Sequence, residues 1–282
     1  MPAGGNIVAD SHPVTHLSDE PAADYDNKEF EPRMLRAVLF DFANTLVSFG
    51  KIRPLALFPV AAKDTYQYLR GRKHSVPEFQ EYATTHFRAF RRRYIWSAIR
   101  QRDFDAMDMV AGVLEKFDIH IPAAERRALA WLWYRPVLRQ THVEPGTLEM
   151  LRELRGRGLK LAIVSNTCAP GICLDRHLAE EHLLEFFPTR IYSSNTIYRK
   201  PHPHIFRAAL HEMGVSPDQA IFVGDLIRAD IKGGRRMGMT TVWKPASAAK
   251  NPAKRHQPDH IIRKITDLPR VIDGLMEIQP QS

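Results

Sequence analysis

The sequence predicts an α/β protein, a doubly wound parallel sheet with a helical block inserted after its first strand. Three observations predict it. Short continuous apolar runs, such as AVLF (37–40) and LAIV (161–164), are bounded by polar residues, as strands buried on both faces are. From about residue 143 such runs alternate with segments of helical periodicity. Between the first run and residue 142 the chain reads as helix almost throughout.

Taken in order, AVLF is the first strand. Phe79, Ala83, Phe87, Phe90 and Tyr94 recur at spacings of three and four and predict one apolar face of a helix. DAMDMVAGVLEKF (105–117) and PAAERRALAWLWY (122–134) predict two more, the second with proline in its first turn. PGTLEMLRELRGRG (145–158) is a helix closed by glycine, and LKLAIV (159–164) a strand. The pattern repeats with GICLDRHLAEEHLL and TRIYSS, PHIFRAALHEMG and QAIFVG, and RADIKGGRRMG and TTVW. DHIIRKITDLPRVIDGL (259–275) reads as a last strand and helix. The expected organisation is a disordered acidic tail over 1–33, an α/β core over 34–50 and 143–282, and a helical cap over 51–142.

Composition narrows the class. With 44% hydrophobic residues in 282, the chain can bury a sizeable core. No apolar run is long enough to span a bilayer, and the start lacks the pattern of a signal peptide. The expectation is a soluble, cytoplasmic protein with no membrane partner. Cys168 and Cys173 give no disulfide framework and read as packing residues. Residues 1–33 carry a net charge of −5 and the whole chain +8, which favours anionic partners. The insert 51–142 holds 17 bases and 9 acids, and Arg88, Arg91 and Arg92 lie largely off the aromatic stripe. That face reads as solvated; no DNA or RNA recognition motif accompanies it, so nucleic acid is not an expected partner.

In such sheets ligands bind beyond the carboxyl ends of the strands. Asp41 follows AVLF, Ser165 and Asn166 follow LKLAIV, and Asp225 follows AIFVG with Asp230 five residues on. Lys200 lies in the loop YRKPHPHIF after TRIYSS. Singly each is bland, since an aspartate after a strand is often a helix cap. Together they describe a site. Three carboxylates at one edge repel unless a divalent cation joins them, and oxygen-only ligands favour Mg²⁺, which also takes a substrate phosphate. An aspartate there can attack phosphorus.

These pieces, DFANT, SNT, RKPHPHIF and GDLIRAD, stand in the order found in the haloacid dehalogenase (HAD) superfamily. The sequence resembles its subgroup with a helical cap after the first strand, over roughly residues 37 to 275. The resemblance implies a HAD-like Rossmannoid core and an Mg²⁺-dependent phosphatase acting on a small anionic phosphorylated substrate. It implies Asp41 as nucleophile, Thr45 as support for the first loop, Ser165 and Asn166 on phosphate, and Lys200 orienting the nucleophile. Asp225 and Asp230 would bind or orient the metal, with the backbone carbonyl of Ala43 as a further contact.

One position departs from the family. Its phosphatases carry, two residues after the nucleophile, an acid that protonates the leaving alcohol and later activates water. Here that residue is Ala43. The alternative reading is therefore a catalytically weak or inactive protein that binds a phosphoryl ligand or a partner. A minor one is a phosphonatase-like C–P hydrolase, since those resemble this chain in having alanine there but need a cap lysine; Lys51, Lys63, Lys73 and Lys116 are the candidates. Dehalogenases also lack the acid, but they need no Mg²⁺, and GDLIRAD argues against them. His202 and His204, beside Lys200, are candidate substitute donors, though histidines in such a loop are more often simply exposed.

Overall fold

Each main strand forms where an apolar run has no polar residue to expose. In the computed structural model β1 (Ala37–Phe40) is wholly buried, as are β6 (Ala220–Gly224) and all but the first residue of β4 (Lys160–Ser165). The structure describes residues 34–49, 54–246 and 257–277. The predicted tail and Lys51 lie outside the described residues. Two further strands, β2 (Val47–Ser48) and β3 (His142–Val143), pair antiparallel in a small ribbon that sequence periodicity is too short to reveal. The main sheet is completed by β5 (Thr189–Tyr192), β7 (Thr240–Trp243) and β8 (His260–Ile261), all parallel, in the order β5-β4-β1-β6-β7-β8.

Alternation along β1 splits the core between two faces. Val38 and Phe40 join Leu161, Ile163, Ile221 and Val223 on one face. Ala37 and Leu39 join Ala162, Val164 and Phe222 on the other, against Ile205, Phe206 and Ala209. A parallel sheet covered on both sides needs this double burial.

Four helices, α1 (Pro54–Gly71), α2 (Phe79–Arg100), α3 (Ala106–Leu114) and α4 (Ala123–Leu138), lie between β2 and β3. The predicted stripe on α2 is corrected. Its buried residues are Tyr82, His86, Phe90 and Ser97, whereas Phe79 and Tyr94 are exposed. The core face follows a four-residue step that includes polar side chains: the Tyr82 hydroxyl donates to Thr65 Oγ1 at 3.0 Å, and His86 Nδ1 donates to the Tyr82 carbonyl at 2.9 Å, while His86 Nε2 has no partner among the described residues. Arg88, Arg91 and Arg92 are exposed, in keeping with a solvated face. Among the described residues no helix is long and apolar enough to cross a membrane. The remaining helices are α5 (Thr147–Gly156), α6 (Gly171–Glu180), α7 (Ser193–Thr196), α8 (Pro203–Met213), α9 (Lys232–Met237) and α10 (Leu268–Glu277). Cys168 and Cys173 are free, and burial pushes both thiols up to about 12, as suits packing residues.

His177 on α6 joins the insert to the core. Its ring is buried, with Tyr134 of α4 2.8 Å from Nδ1, Thr141 Oγ1 3.1 Å from Nε2 and the Phe42 ring edge-on at 5.2 Å. Burial lowers its pKa from 6.5 to about 4, and that of His86 likewise to about 4. Below pH 6.5 the unfolded chain therefore takes up protons that the folded chain refuses until about pH 4, so stability is lost as pH falls through that window. Each histidine contributes on the order of 3 kcal/mol to this loss. His177→Gln should lower stability at pH 7 but flatten the fall between pH 6.5 and 4.5, as read by urea unfolding. An unchanged slope would remove His177 as a cause.

Candidate active site

The central place of β1 determines where its chemistry sits. Phe40 pairs with Ile163 on one side and Val223 on the other, so Asp41 emerges at the middle of the carboxyl edge. Its N–H donates to the Val223 carbonyl at 2.9 Å. The Asp41 side chain is buried, and Lys200 Nζ lies 2.6 Å from its Oδ1 and 2.7 Å from Asp230 Oδ1. Asp41, Asp225 and Asp230 each offer an oxygen, all within 4.8 Å of one another.

Three carboxylates therefore share one ammonium group among the described residues. The imbalance appears in their protonation. Burial raises Asp41 to about 6, with Lys200 opposing and Asp230 adding to the rise. Asp225 is raised to about 8 by burial and then by repulsion from Asp41 and Asp230. Lys200 stays charged, because Asp230 and Asp41 outweigh the burial that would lower it. A hard, oxygen-only donor set with surplus negative charge fits Mg²⁺, with Asp41, Asp225 and Asp230 as its holders.

Local sequence explains the convergence. Gly224 ends β6, and a Cβ there would come within 2.4 Å of the Asp230 Cβ, so only glycine lets Asp230 approach. Asp230 lies in a wide π-type turn, Ile227–Ile231, and its Oδ2 accepts from the Leu226 N–H at 2.8 Å. Trp243 at the end of β7 donates its Nε1–H to the Asp225 carbonyl at 2.8 Å. After Asp41, Asn44 adopts a φ of 59° that asparagine tolerates, and the turn closes through Leu46 and Val47 N–H groups on the Phe42 carbonyl. Neither that pair nor the Asn44 N–H bond to Val47 uses the Ala43 carbonyl.

Thr45 Oγ1 is buried and has no hydrogen-bond partner among the described residues, an orphaned donor in the loop that carries Asp41. Ser165 is buried at the end of β4. Asn166 differs from what its position suggests. Its Nδ2 donates to the Lys200 carbonyl at 3.0 Å, and its Oδ1 accepts from the Lys200 N–H at 2.7 Å. The carboxamide thus secures the lysine loop and spends one of its two Nδ2 hydrogens there. His202 caps α8 by accepting from the His204 N–H, and both rings lie against Tyr198. Lys63, Lys73 and Lys116 are exposed, without the burial that would make a reactive amine.

Sequence reasoning missed several residues here. Lys244, buried just past β7, places Nζ 3.2 Å from the Asn44 carbonyl and 2.7 Å from Glu144. Ser193 stands just past β5, where the strand-end rule that found Asp41 could have found it. Asp103, in the insert, had no local signal.

Comparison with known proteins bears on the family and the fold. The profile of a hydrolase family, the haloacid dehalogenase-like hydrolases, matches residues 35–238. The chain is 32% identical over 133 residues to a glyceraldehyde 3-phosphate phosphatase of Pyrococcus furiosus, covering 46% of this chain and 53% of that protein. It is 35% identical over 122 residues to a phosphoserine phosphatase of Thermus thermophilus, covering 43% and 48%. The chain spans about half the length of these curated relatives. Among solved structures, a HAD phosphatase from Thermococcus onnurineus aligns with a TM-score of 0.56 at 24% identity, over 85% of this chain and 99% of that one. A 2-haloacid dehalogenase from Pseudomonas syringae pv. Tomato DC3000 aligns with a TM-score of 0.62 at 21% identity, over 86% and 100%. At these identities the likeness is one of fold.

Proposed function

The chain belongs to the haloacid dehalogenase-like hydrolases, and on that premise we propose that it is an Mg²⁺-dependent phosphatase acting on a small phosphorylated compound. The carrying observation is the cluster of Asp41, Asp225 and Asp230 around Lys200. Phosphatases among the curated relatives support the reading. The acidic cluster also weighs against dehalogenation, which needs a carboxylate nucleophile but no metal.

Bound at the three carboxylates, Mg²⁺ would supply the charge that draws a phosphate dianion to this edge. Lys200 holds Asp41 Oδ1, which leaves the other oxygen to attack phosphorus in line. The P–O bond to the leaving alcohol breaks, and Asp41 carries the phosphoryl group as an aspartyl phosphate. Water then attacks phosphorus, releasing phosphate and restoring the Asp41 carboxylate. The hydroxyls of Thr45 and Ser165 and the backbone N–H of Asn166 hold the other phosphate oxygens. Ala43 offers the departing alkoxide no proton, so substrates with good leaving groups, such as acyl phosphates, suit the site best.

One residue favours a second reading. Ala43 is what a protein that binds a phosphoryl ligand without turning it over would tolerate. A screen of purified protein against some tens of phosphorylated metabolites, with Mg²⁺ and with chelator, separates the two. Mg²⁺-dependent phosphate release is expected; binding of inorganic phosphate without any release would favour the second.

Metal affinity supplies its own test. Asp225→Asn should weaken Mg²⁺ binding at least tenfold in a calorimetric titration, since it removes one of three carboxylate charges. Equal affinities would place the metal elsewhere.

A further inference from the structure

The insert is bonded to the core at named points. Its segment Gln101–Ala106, which joins α2 to the first residue of α3, is hydrogen-bonded into two core loops that carry site residues. Asp103 N–H donates to the Ile197 carbonyl at 2.7 Å, Arg199 N–H to the Gln101 carbonyl at 3.3 Å, and Ala106 N–H to the Cys168 carbonyl at 2.8 Å. Arg102 and Tyr198 form a bridge beside them. The segment thus touches the loop that follows Ser165 and carries Asn166, and the connection after β5 that carries Lys200.

Asp103 stands where these ties meet. Its side chain is 5% exposed. Ser193 Oγ donates to Asp103 Oδ2 at 2.6 Å, and the same Oγ accepts from the Thr167 N–H at 2.8 Å. Thr167 directly follows Ser165 and Asn166. Asp103 Oδ1 faces Arg199 Nη1 at 3.5 Å, and that guanidinium also donates to Ser97 Oγ at 3.2 Å. Arg199 directly precedes Lys200. One carboxylate of the insert is therefore a single hydroxyl away from the loop of Ser165 and Asn166, and one residue away from Lys200.

A hydroxyl has one proton. By accepting it, Asp103 fixes the Ser193 Oγ so that its lone pair faces the Thr167 N–H. Without Asp103 the hydroxyl can turn to the Thr167 carbonyl, already 3.2 Å away, and the loop loses its fixed acceptor. Such an acid, shut away from water and tied to a serine and an arginine, is a costly arrangement to keep for packing alone.

We propose that Asp103 is a positioning residue for phosphate. Through Ser193 it holds the Ser165–Thr167 loop, and through Arg199 the Lys200 loop, so that seating the insert and assembling the phosphate site are one event. This rests on the phosphatase reading above. Asp103 itself touches no substrate.

The experiment is a double-mutant cycle on the full chain, with Asp103→Ala, Ser193→Ala and the pair. The readouts are the Kd of inorganic phosphate by calorimetry with Mg²⁺, and KM and kcat for p-nitrophenyl phosphate. Each single variant should weaken phosphate binding about tenfold, and the double variant should be little worse than either. KM should rise with the Kd. Asp103→Asn, which keeps an acceptor for Ser193, should recover most of the affinity, and it carries the test if the alanine variant does not fold. A purely structural role would lower the melting temperature and leave Kd unchanged, and that result overturns the proposal. Additive losses overturn the Ser193 route. If wild type neither binds phosphate nor releases p-nitrophenol, the phosphatase reading fails and this inference with it. Normal wild-type activity with an unchanged Asp103→Ala Kd sinks the inference alone.

Discussion

Lys200→Met is expected to abolish turnover and to destabilise the fold by about 3–5 kcal/mol at pH 8 without metal, the usual range when one partner of a buried ion pair is removed. Lys200 Nζ lies within 2.7 Å of both Asp41 and Asp230, and all three side chains are buried. Methionine fills similar space but leaves the carboxylates facing one another without a cation. They respond by holding protons. The acid of a buried cluster whose folded pKa is raised binds more protons in the folded chain than in the unfolded one, so stability falls as pH rises through the raised pKa. Asp41 near 6 and Asp225 near 8 already set that direction in the wild type. Loss of Lys200 moves both further up, and the variant should lose more stability than wild type between pH 5 and 8. Mg²⁺ should return part of it, because the cation takes over the neutralising role. Urea unfolding at pH 5 and 8, with chelator and with Mg²⁺, measures each arm. Equal stability of the two proteins at pH 8 in chelator would mean that the carboxylates are not held ionised by Lys200.

Lys200 also shows what the sequence makes legible. The strand-end positions of Asp41, Ser165 and Asp225, and the place of Lys200 in the connection after β5, follow from apolar runs and from the rule that ligands bind at the carboxyl edge, both of which are local patterns. The ion pair between Lys200 and Asp41 spans 159 residues, and only the sheet order brings its partners together. Asn166 follows β4 as the apolar run implies, but its carboxamide turns to the lysine loop, a choice made by geometry that no motif records. Asp103 was invisible for the same reason in stronger form. Its partners Ser193 and Arg199 lie about ninety residues on, and it stands in the helical insert, whose periodicity marks a buried face and carries no information about loops. On α2 that periodicity was itself misread. The buried face includes the polar His86 and Ser97, which a search for apolar spacing passes over in favour of Phe79 and Tyr94.

The largest gain of activity is expected from Ala43→Asp. Residue 43 is two past Asp41, in a turn whose shape is held by Asn44 at positive φ and by bonds to the Phe42 carbonyl, none of which uses the Ala43 side chain. Ala43 is partly exposed, so a carboxyl there need not displace a packed neighbour. The neighbouring groups that a phosphatase would use are present: Asp41 bonded to Lys200, and the orphaned Thr45 hydroxyl. What an alkyl phosphate lacks in this site is a proton for its alkoxide, whereas an aryl or acyl phosphate departs without one. A positioned acid–base typically contributes about 10²–10⁴ in rate, equivalent to roughly 3–5 kcal/mol of barrier. That range is the upper bound, since no neighbouring group has been arranged to hold the new carboxyl. The gain should therefore fall on kcat for an alkyl ester and be small for its matched aryl ester, with Asp41→Asn as the inactive control. The added charge also enters a site already crowded with carboxylates, so the Mg²⁺ requirement should sharpen as pH rises. If both rates stay at the Asp41→Asn background, the site has lost more than its acid, and binding without turnover becomes the better reading. If wild type already hydrolyses alkyl esters quickly and Ala43→Asp slows it, another group donates the proton. His202, stacked on Tyr198 beside the lysine loop, and His204, tilted against the same ring, are then the first residues to replace.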